Sequence, residues 1–185
     1  MRDTGLRAKY IHRFHVEDAD ANGVVDRSDI LLRAERLIDG MDEPLGSPGA
    51  AAVLAGAEAY WQRLAELAGV DEDGELTEDV YVQTLEEAVQ VGAIAGLVAP
   101  SVEAHVQLAD SEGTGTVALD DFIRAQVASG MSTAMASEAF EALDRDGDGR
   151  ITVEEWQRAV LDYYTNADAD VRAPGSLVMG LRAEG

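Results

Sequence analysis

The chain of 185 residues contains no cysteine, a single lysine and no long uninterrupted apolar run. Without cysteine it has no disulfide framework, no thiolate metal site and no thiol nucleophile, which suits an intracellular protein. The longest apolar segment, residues 91–99, is too short to span a bilayer. The N-terminal residues lack the apolar core and cleavage-like end of a signal peptide, so we expect a soluble, cytoplasmic protein.

Positive charge is also scarce, because 14 Lys and Arg stand against 36 Asp and Glu and give a formal net charge of −22. Nucleic acid and anionic membrane surfaces are bound through clustered Lys and Arg, so we expect neither partner. The acids either form a generally acidic surface, as a high-salt environment would favour, or are concentrated where cations bind.

A twelve-residue pattern recurs four times along the chain. Segments 18–29 and 144–155 carry acidic or amide residues at positions 1, 3 and 5, Gly at 6, an aliphatic residue at 8 and an acid at 12. Segments 69–80 and 110–121 align with them on the central Gly and on the aliphatic residue two positions later. Apolar residues recur at helical spacing around these segments, which predicts an all-α fold of four helix–loop–helix units.

Capping and helix-ending residues suggest where these helices begin and end. The helix after the first loop is expected to stop at Gly40, and residues 41–49 form a turn-rich connector before a long Ala/Leu helix. Pro100 and Ser101 are expected to open a later helix, with Ser101 as its N-cap.

The connector near residues 92–100 is the expected boundary between two halves of the chain. We expect one pair of units in residues 1–92 and a second pair in residues 93–185, packed together as one compact protein. Within each pair, the aliphatic residues at loop position 8 should form a short β-bridge.

The pattern suits a calcium ion, which takes six to eight oxygen ligands. These come from side chains at positions 1, 3 and 5, a backbone carbonyl at 7, a water often held at 9 and a bidentate carboxylate at 12. Gly at position 6 permits the sharp turn. This is the EF-hand motif. The fourth loop matches it fully, and its predicted ligands are Asp144, Asp146, Asp148, the carbonyl of Arg150 and Glu155.

The first loop departs from this pattern only at its last position. Its predicted ligands are Asp18, Asp20, Asn22, the carbonyl of Val24 and Asp29. Asp is one methylene shorter than Glu and tends to bind through one oxygen, and fewer ligands favour the smaller, octahedral Mg²⁺. The preference between Ca²⁺ and Mg²⁺ at this loop stays open.

The third loop is ambiguous. Its candidate ligands are Asp110, Glu112, Thr114, the carbonyl of Thr116 and Asp121, but a long Glu stands at position 3 and a neutral Thr at position 5. A weakened metal site and a merely structural loop both fit this sequence.

The second loop has lost its chelating ends. It begins with Gly69 and ends with Val80, while Gly74 and Leu76 keep the turn and bridge positions. We therefore expect it to keep the β-bridge and to give up the metal.

The chain resembles the four-EF-hand sarcoplasmic calcium-binding proteins and their bacterial relatives, the calerythrins. The resemblance covers nearly the whole chain and includes the strong first and last loops, the degenerate second loop and the aromatic-plus-APG tail, residues 163–180. It implies a compact buffer or transporter of calcium with three active hands.

The candidate functions are calcium buffering, a calcium-switched adaptor and an enzyme. A calcium-switched adaptor would open a Met-rich groove, whereas this chain has only 5 scattered Met, and the apolar tail segment 177–181 is a candidate to fill such a groove itself. An enzyme is not expected, because no nucleophile–base pair or phosphate-binding loop is visible. We expect a monomer that binds calcium ions, and the sequence names no protein target.

Overall fold

Eight helices and four short strands make up the part of the chain that the computed structural model describes, residues 4–167, 175, 176 and 179. The helices are α1 (Thr4–Glu17), α2 (Arg27–Gly40), α3 (Pro48–Ala68), α4 (Glu78–Gln90), α5 (Ile94–Ala109), α6 (Leu119–Ala128), α7 (Thr133–Leu143) and α8 (Val153–Thr165). The strands are β1 (Val24–Val25), β2 (Leu76–Thr77), β3 (Thr116–Ala118) and β4 (Arg150–Thr152). The predicted all-α fold of four helix–loop–helix units is confirmed.

The four loops are joined in two pairs by the strands. β1 pairs antiparallel with β2 and places Val25 opposite Leu76, and β3 pairs with β4 and places Val117 opposite Ile151. All four of these side chains are fully buried. The predicted bridges therefore exist, and they tie the loops to the hydrophobic core.

Close contacts join α3 to α5 and α2 to α6. A Cβ placed on Gly56 of α3 would lie 2.9 Å from both the Pro100 carbonyl oxygen and the Ala104 Cβ of α5. A Cβ on Gly40 at the end of α2 would lie 2.7 Å from the Ala128 Cβ of α6. Small residues at these positions allow the paired helices to approach each other closely.

The predicted start of the fifth helix is wrong. α5 begins at Ile94, so Pro100 lies inside the helix and Ser101 is not its N-cap. Proline lacks an N–H and disfavours a helix interior, but Ile94, Leu97 and Val98 are buried in the core. Burial of these apolar side chains outweighs the local preference for a connector.

The ends of the second and third helices lie close to their predicted places. α2 ends at Gly40 as predicted. α3 begins at Pro48, inside the segment predicted as connector, because the Ser47 hydroxyl accepts a hydrogen bond from the Ala50 N–H at 3.0 Å. Proline is favoured in the first turn, where its missing N–H is no loss.

No single helix in the described part of the chain is long and apolar enough to cross a membrane. The pair α4 and α5 is sufficiently long and apolar only when taken together, and it bends by 104° at the break between its two helices.

Candidate metal centres

The fourth loop brings three carboxylates together. Oxygen atoms of Asp144, Asp146 and Asp148 all lie within 4.8 Å of one another. The Asp144 carboxylate accepts hydrogen bonds from the N–H groups of Gly147 at 2.8 Å, Asp148 at 3.1 Å and Gly149 at 2.9 Å. These bonds curl the backbone around Asp144. Like charges held this close repel one another, so the loop favours a cation.

Glu155 lies at the end of the fourth loop, in the first turn of α8. One carboxylate oxygen accepts a hydrogen bond from the Arg145 N–H at 3.3 Å, and the other accepts from the Thr152 N–H and hydroxyl, both at 2.9 Å. Thr152 and Glu155 form a capping box that starts α8. Glu155 is not part of the three-carboxylate cluster. Its carboxylate is held at the end of the loop by the backbone N–H groups of Arg145 and Thr152.

The first loop gathers a second cluster. Oxygen atoms of Asp18, Asp20 and Asp29 lie within 4.8 Å of one another. The Asp18 carboxylate accepts from the N–H groups of Asn22 and Gly23, both at 3.0 Å. The backbone therefore curls around Asp18 as it does around Asp144 in the fourth loop. In contrast to Glu155, the last residue of this loop, Asp29, belongs to the cluster.

Asp29 is only 2% exposed. Its carboxylate accepts hydrogen bonds from the N–H groups of Ala19 at 2.9 Å, Asp20 at 3.3 Å and Asp26 at 3.0 Å. Burial raises the pKa of Asp29 above its ordinary value, although these N–H donors oppose the shift. A bound cation would favour the ionised carboxylate and so oppose the effect of burial.

A buried ion cluster fixes the helix that leads into the first loop. The side chain of Glu17, directly before Asp18, is 3% exposed and pairs with Arg13 of α1 and with Arg33 of α2 at 2.6 Å. Burial raises the pKa of Glu17, but the two guanidinium groups outweigh it and the pKa lies below its ordinary value. Sequence reasoning missed this cluster, because helical spacing alone does not show which charged residues turn inward.

Comparisons with known proteins place these loops in context. An EF hand family model matches residues 136–161, which contain the fourth loop and most of its flanking helices. Calerythrin from Saccharopolyspora erythraea is 28% identical over 155 residues, covering 82% of this chain and 88% of the relative. The sarcoplasmic calcium-binding protein alpha chain from Penaeus vannamei is 28% identical over 188 residues, covering 90% and 91%.

A Streptomyces coelicolor calcium-binding protein, whose solved structure concerns prokaryotic calcium-mediated regulation by that protein, is 34% identical to this chain in sequence. The two structures superpose with a TM-score of 0.74. The alignment covers 86% of this chain and 98% of that one. The chain belongs to the EF-hand family of calcium-binding proteins. It binds calcium through EF-hand loops, and the relatives named here are calcium-binding proteins rather than enzymes.

The third loop of this EF-hand protein is built differently from the first and fourth. Asp110 accepts from the N–H groups of Thr114 at 3.0 Å and Gly115 at 2.6 Å. Asp121 accepts from the Ser111 hydroxyl at 2.5 Å and pairs with Arg124 at 3.1 Å. Within the described ranges, its carboxylates do not converge into a cluster of three.

Arg150 extends from the fourth loop into the third. Its guanidinium pairs with Glu112 at 2.5 Å and donates to the hydroxyls of Thr114 at 3.3 Å and Thr116 at 3.2 Å. Sequence reasoning gave Arg150 only a carbonyl role. The register of β3 and β4 places Arg150 opposite Ala118. Antiparallel pairing of the two loops is therefore the signal that could have indicated a contact of the Arg150 side chain with the third loop.

The second loop keeps the bridge without gathering ligands. Gly69 ends α3 with a φ of 70°, and the Trp61 indole N–H donates to the Glu72 carbonyl at 2.7 Å, which fixes the loop to the core. No group of three metal-ligating side chains lies in residues 69–80, all of which the structure describes. Gly74 does not adopt the positive φ seen at Gly23.

The tail segment 177–181 lies outside the described residues except for Met179. Met179 lines a cavity of about 360 Å³ between the helices, together with Arg33, His105 and Trp156. Upstream of it, Ser176 is fully buried, and the backbone at Gly175 lies against α8. The described part of the tail therefore packs on α8 and reaches the cavity between the helices.

Proposed function

We propose that the chain is a calcium buffer whose first and fourth loops each hold one ion. The observation that supports this assignment most directly is the convergence of three carboxylates in these two loops. The ligands we assign are Asp18, Asp20, Asn22, the Val24 carbonyl and Asp29 in the first loop, and Asp144, Asp146, Asp148, the Arg150 carbonyl and Glu155 in the fourth.

The position of the tail supports a buffer over an adaptor. A Cβ on Gly175 would meet the Ala159 carbonyl oxygen of α8, Ser176 is fully buried, and Met179 lines the cavity between the helices. A sensor exposes an apolar groove to its target when it binds calcium. Here a residue of the chain's own tail already lines the cavity between the helices, which leaves less room there for a target helix.

Two measurements on the full chain test the buffer proposal. Calorimetric calcium titration should count two ions, and repeating it in millimolar Mg²⁺ should weaken the apparent affinity of the first loop more than that of the fourth. An environment-sensitive apolar dye should show little increase in fluorescence when calcium is added. Fewer than two ions, or a large calcium-induced rise in dye binding, would contradict the proposal.

A calcium-dependent regulator is the second candidate. It is favoured by the Streptomyces coelicolor protein, 34% identical, which is described in terms of calcium-mediated regulation. A regulator must present a different surface with and without calcium. The dye experiment separates the two candidates, because a strong rise with calcium but not with magnesium would favour the regulator.

We further propose a cytoplasmic monomer formed from the EF-hand pairs 1–92 and 93–185. Absence of cysteine suits a reducing compartment, and a formal charge of −22 opposes self-association. Light scattering should give the monomer mass of 19.7 kDa with and without calcium, and a stable dimer would contradict this part of the proposal.

A further inference from the structure

We infer that the guanidinium of Arg150 serves as a built-in cation for the third loop, so that the fourth hand prevents the third from binding metal. The side chain crosses the β3–β4 ribbon and contacts residues at loop positions 3, 5 and 7, which are Glu112, Thr114 and Thr116. In an EF-hand these positions surround the ion. The arginine thus engages the side chains of Glu112 and Thr114, which a calcium ion in this loop would need as ligands, and it contacts Thr116 through the hydroxyl.

The distribution of ion pairs separates the third loop from the other two. Glu112 pairs with Arg150 and Asp121 pairs with Arg124. Among the residues that the structure describes, no arginine lies within 4.0 Å of the carboxylates clustered in the first and fourth loops. The first and fourth loops therefore present uncompensated negative charge, while two carboxylates of the third loop are paired with arginines that lie outside that loop.

The contact at Glu112 is the strongest of the three that Arg150 makes. The Nη2–Oε2 distance of 2.5 Å is short for a charged pair, and the other guanidinium nitrogen donates to both threonine hydroxyls. A guanidinium presents several donors in a fixed plane and stays charged at any physiological pH. A divalent cation entering the loop must displace this group or bear its repulsion.

Arg150 also belongs to the fourth loop, which couples the two hands. Under the proposed function, on which this step rests, its carbonyl is a ligand of the fourth site while its side chain blocks the third. An ion in the fourth loop would hold the backbone of Arg150 in place and so keep its side chain over the third loop. By linkage, an ion forced into the third loop weakens the fourth. The C-terminal pair should therefore hold one ion rather than two.

The decisive variant is R150Q, which removes the charge and leaves the backbone carbonyl in place. Calorimetric calcium titration of the full chain should count two ions for the parent and three for R150Q, with the additional site on the order of 1 mM or tighter. The matched control is R158Q, which removes the same charge from an exposed position of α8 outside the loops. R158Q should still bind two ions.

Adding E112Q to R150Q locates the new ion, because the double variant should return to two. If R150Q, shown by circular dichroism to keep the parent's helix content, gains no ion up to 5 mM calcium, the inference is overturned. It is equally overturned if the parent binds a third ion that E112Q alone removes. A parent that binds fewer than two ions contradicts the proposed function instead, while the difference between R150Q and the parent still decides the role of Arg150.

Discussion

Asp29 and Glu155 accept hydrogen bonds from equivalent backbone groups, although their side chains differ in length by one methylene. In each loop, one carboxylate oxygen accepts from the N–H at loop position 2 and the other from the N–H at position 9. The distances are 2.9 Å (Ala19) and 3.0 Å (Asp26) to Asp29, and 3.3 Å (Arg145) and 2.9 Å (Thr152) to Glu155. The shorter side chain reaches the same partners and also joins the carboxylate cluster of its loop.

Replacing Asp29 with Glu tests what this difference does to metal preference. The longer side chain can bind calcium through both oxygens, whereas Mg²⁺ keeps its octahedral shell and gains little. We expect D29E to bind calcium more tightly at the first loop, with magnesium affinity unchanged or lower. Competition calorimetry of calcium against millimolar magnesium measures both. Equal competition in D29E and the parent would refute the argument from side-chain length.

Glu155→Gln tests the ligand assignment of the fourth loop. Glutamine has nearly the same size but carries no charge and offers one carbonyl oxygen, so it cannot serve as a bidentate carboxylate. We expect E155Q to lose one calcium ion from the stoichiometry. The control is E154Q, which removes the same charge from the neighbouring exposed residue and should keep every ion. Unchanged stoichiometry in E155Q would remove Glu155 from the ligand set.

Repetition in the sequence was enough to predict the four hands, their pairing and the β-bridges. The glycine and aliphatic positions of the loops recur at fixed spacing, and Val25, Leu76, Val117 and Ile151 pair as that spacing requires. The spacing of residues within such a loop determines the geometry of the loop. Calcium binding followed from the same pattern, because the chemistry of the ion sets the spacing of its ligands.

Contacts between distant segments could not be predicted in this way. Pro100 suggested a helix start, yet packing of α5 on α3 extends the helix back to Ile94. The contact of Arg150 with Glu112 joins residues in different loops, and it depends on the direction of a long side chain. At such positions, contacts with residues distant in sequence override the local conformational preference of the chain.

Gly56→Ala probes the packing of α3 against α5. A Cβ at this position would meet backbone and side-chain atoms of α5 at 2.9 Å, so one of the helices must shift. Overpacking of this kind costs about 1–3 kcal/mol in the free energy of unfolding. Gly96→Ala is the matched control, because Gly96 lies exposed in α5 and a Cβ there meets nothing within 4 Å. G96A should be neutral or stabilising by about 0.5 kcal/mol, and urea unfolding in EDTA measures both; equal effects would contradict the close approach at Gly56.

Glu17→Gln tests the buried cluster that precedes the first loop. Removing the carboxylate leaves Arg13 and Arg33 facing each other without a counter-charge, and breaking such a pair costs about 3 kcal/mol. Because the pKa of Glu17 is lowered on folding, its stabilising effect is complete above its ordinary pKa and is lost as the pH falls through the folded value.

The free energy of unfolding of E17Q should therefore fall less steeply on acidification than that of the parent, and the two curves should converge at low pH. Urea unfolding in EDTA from pH 7 downwards follows both. E35Q, which removes the same charge from an exposed position of α2, should track the parent throughout. A constant difference between E17Q and the parent at every pH would mean that packing, rather than the charge of Glu17, stabilises this junction.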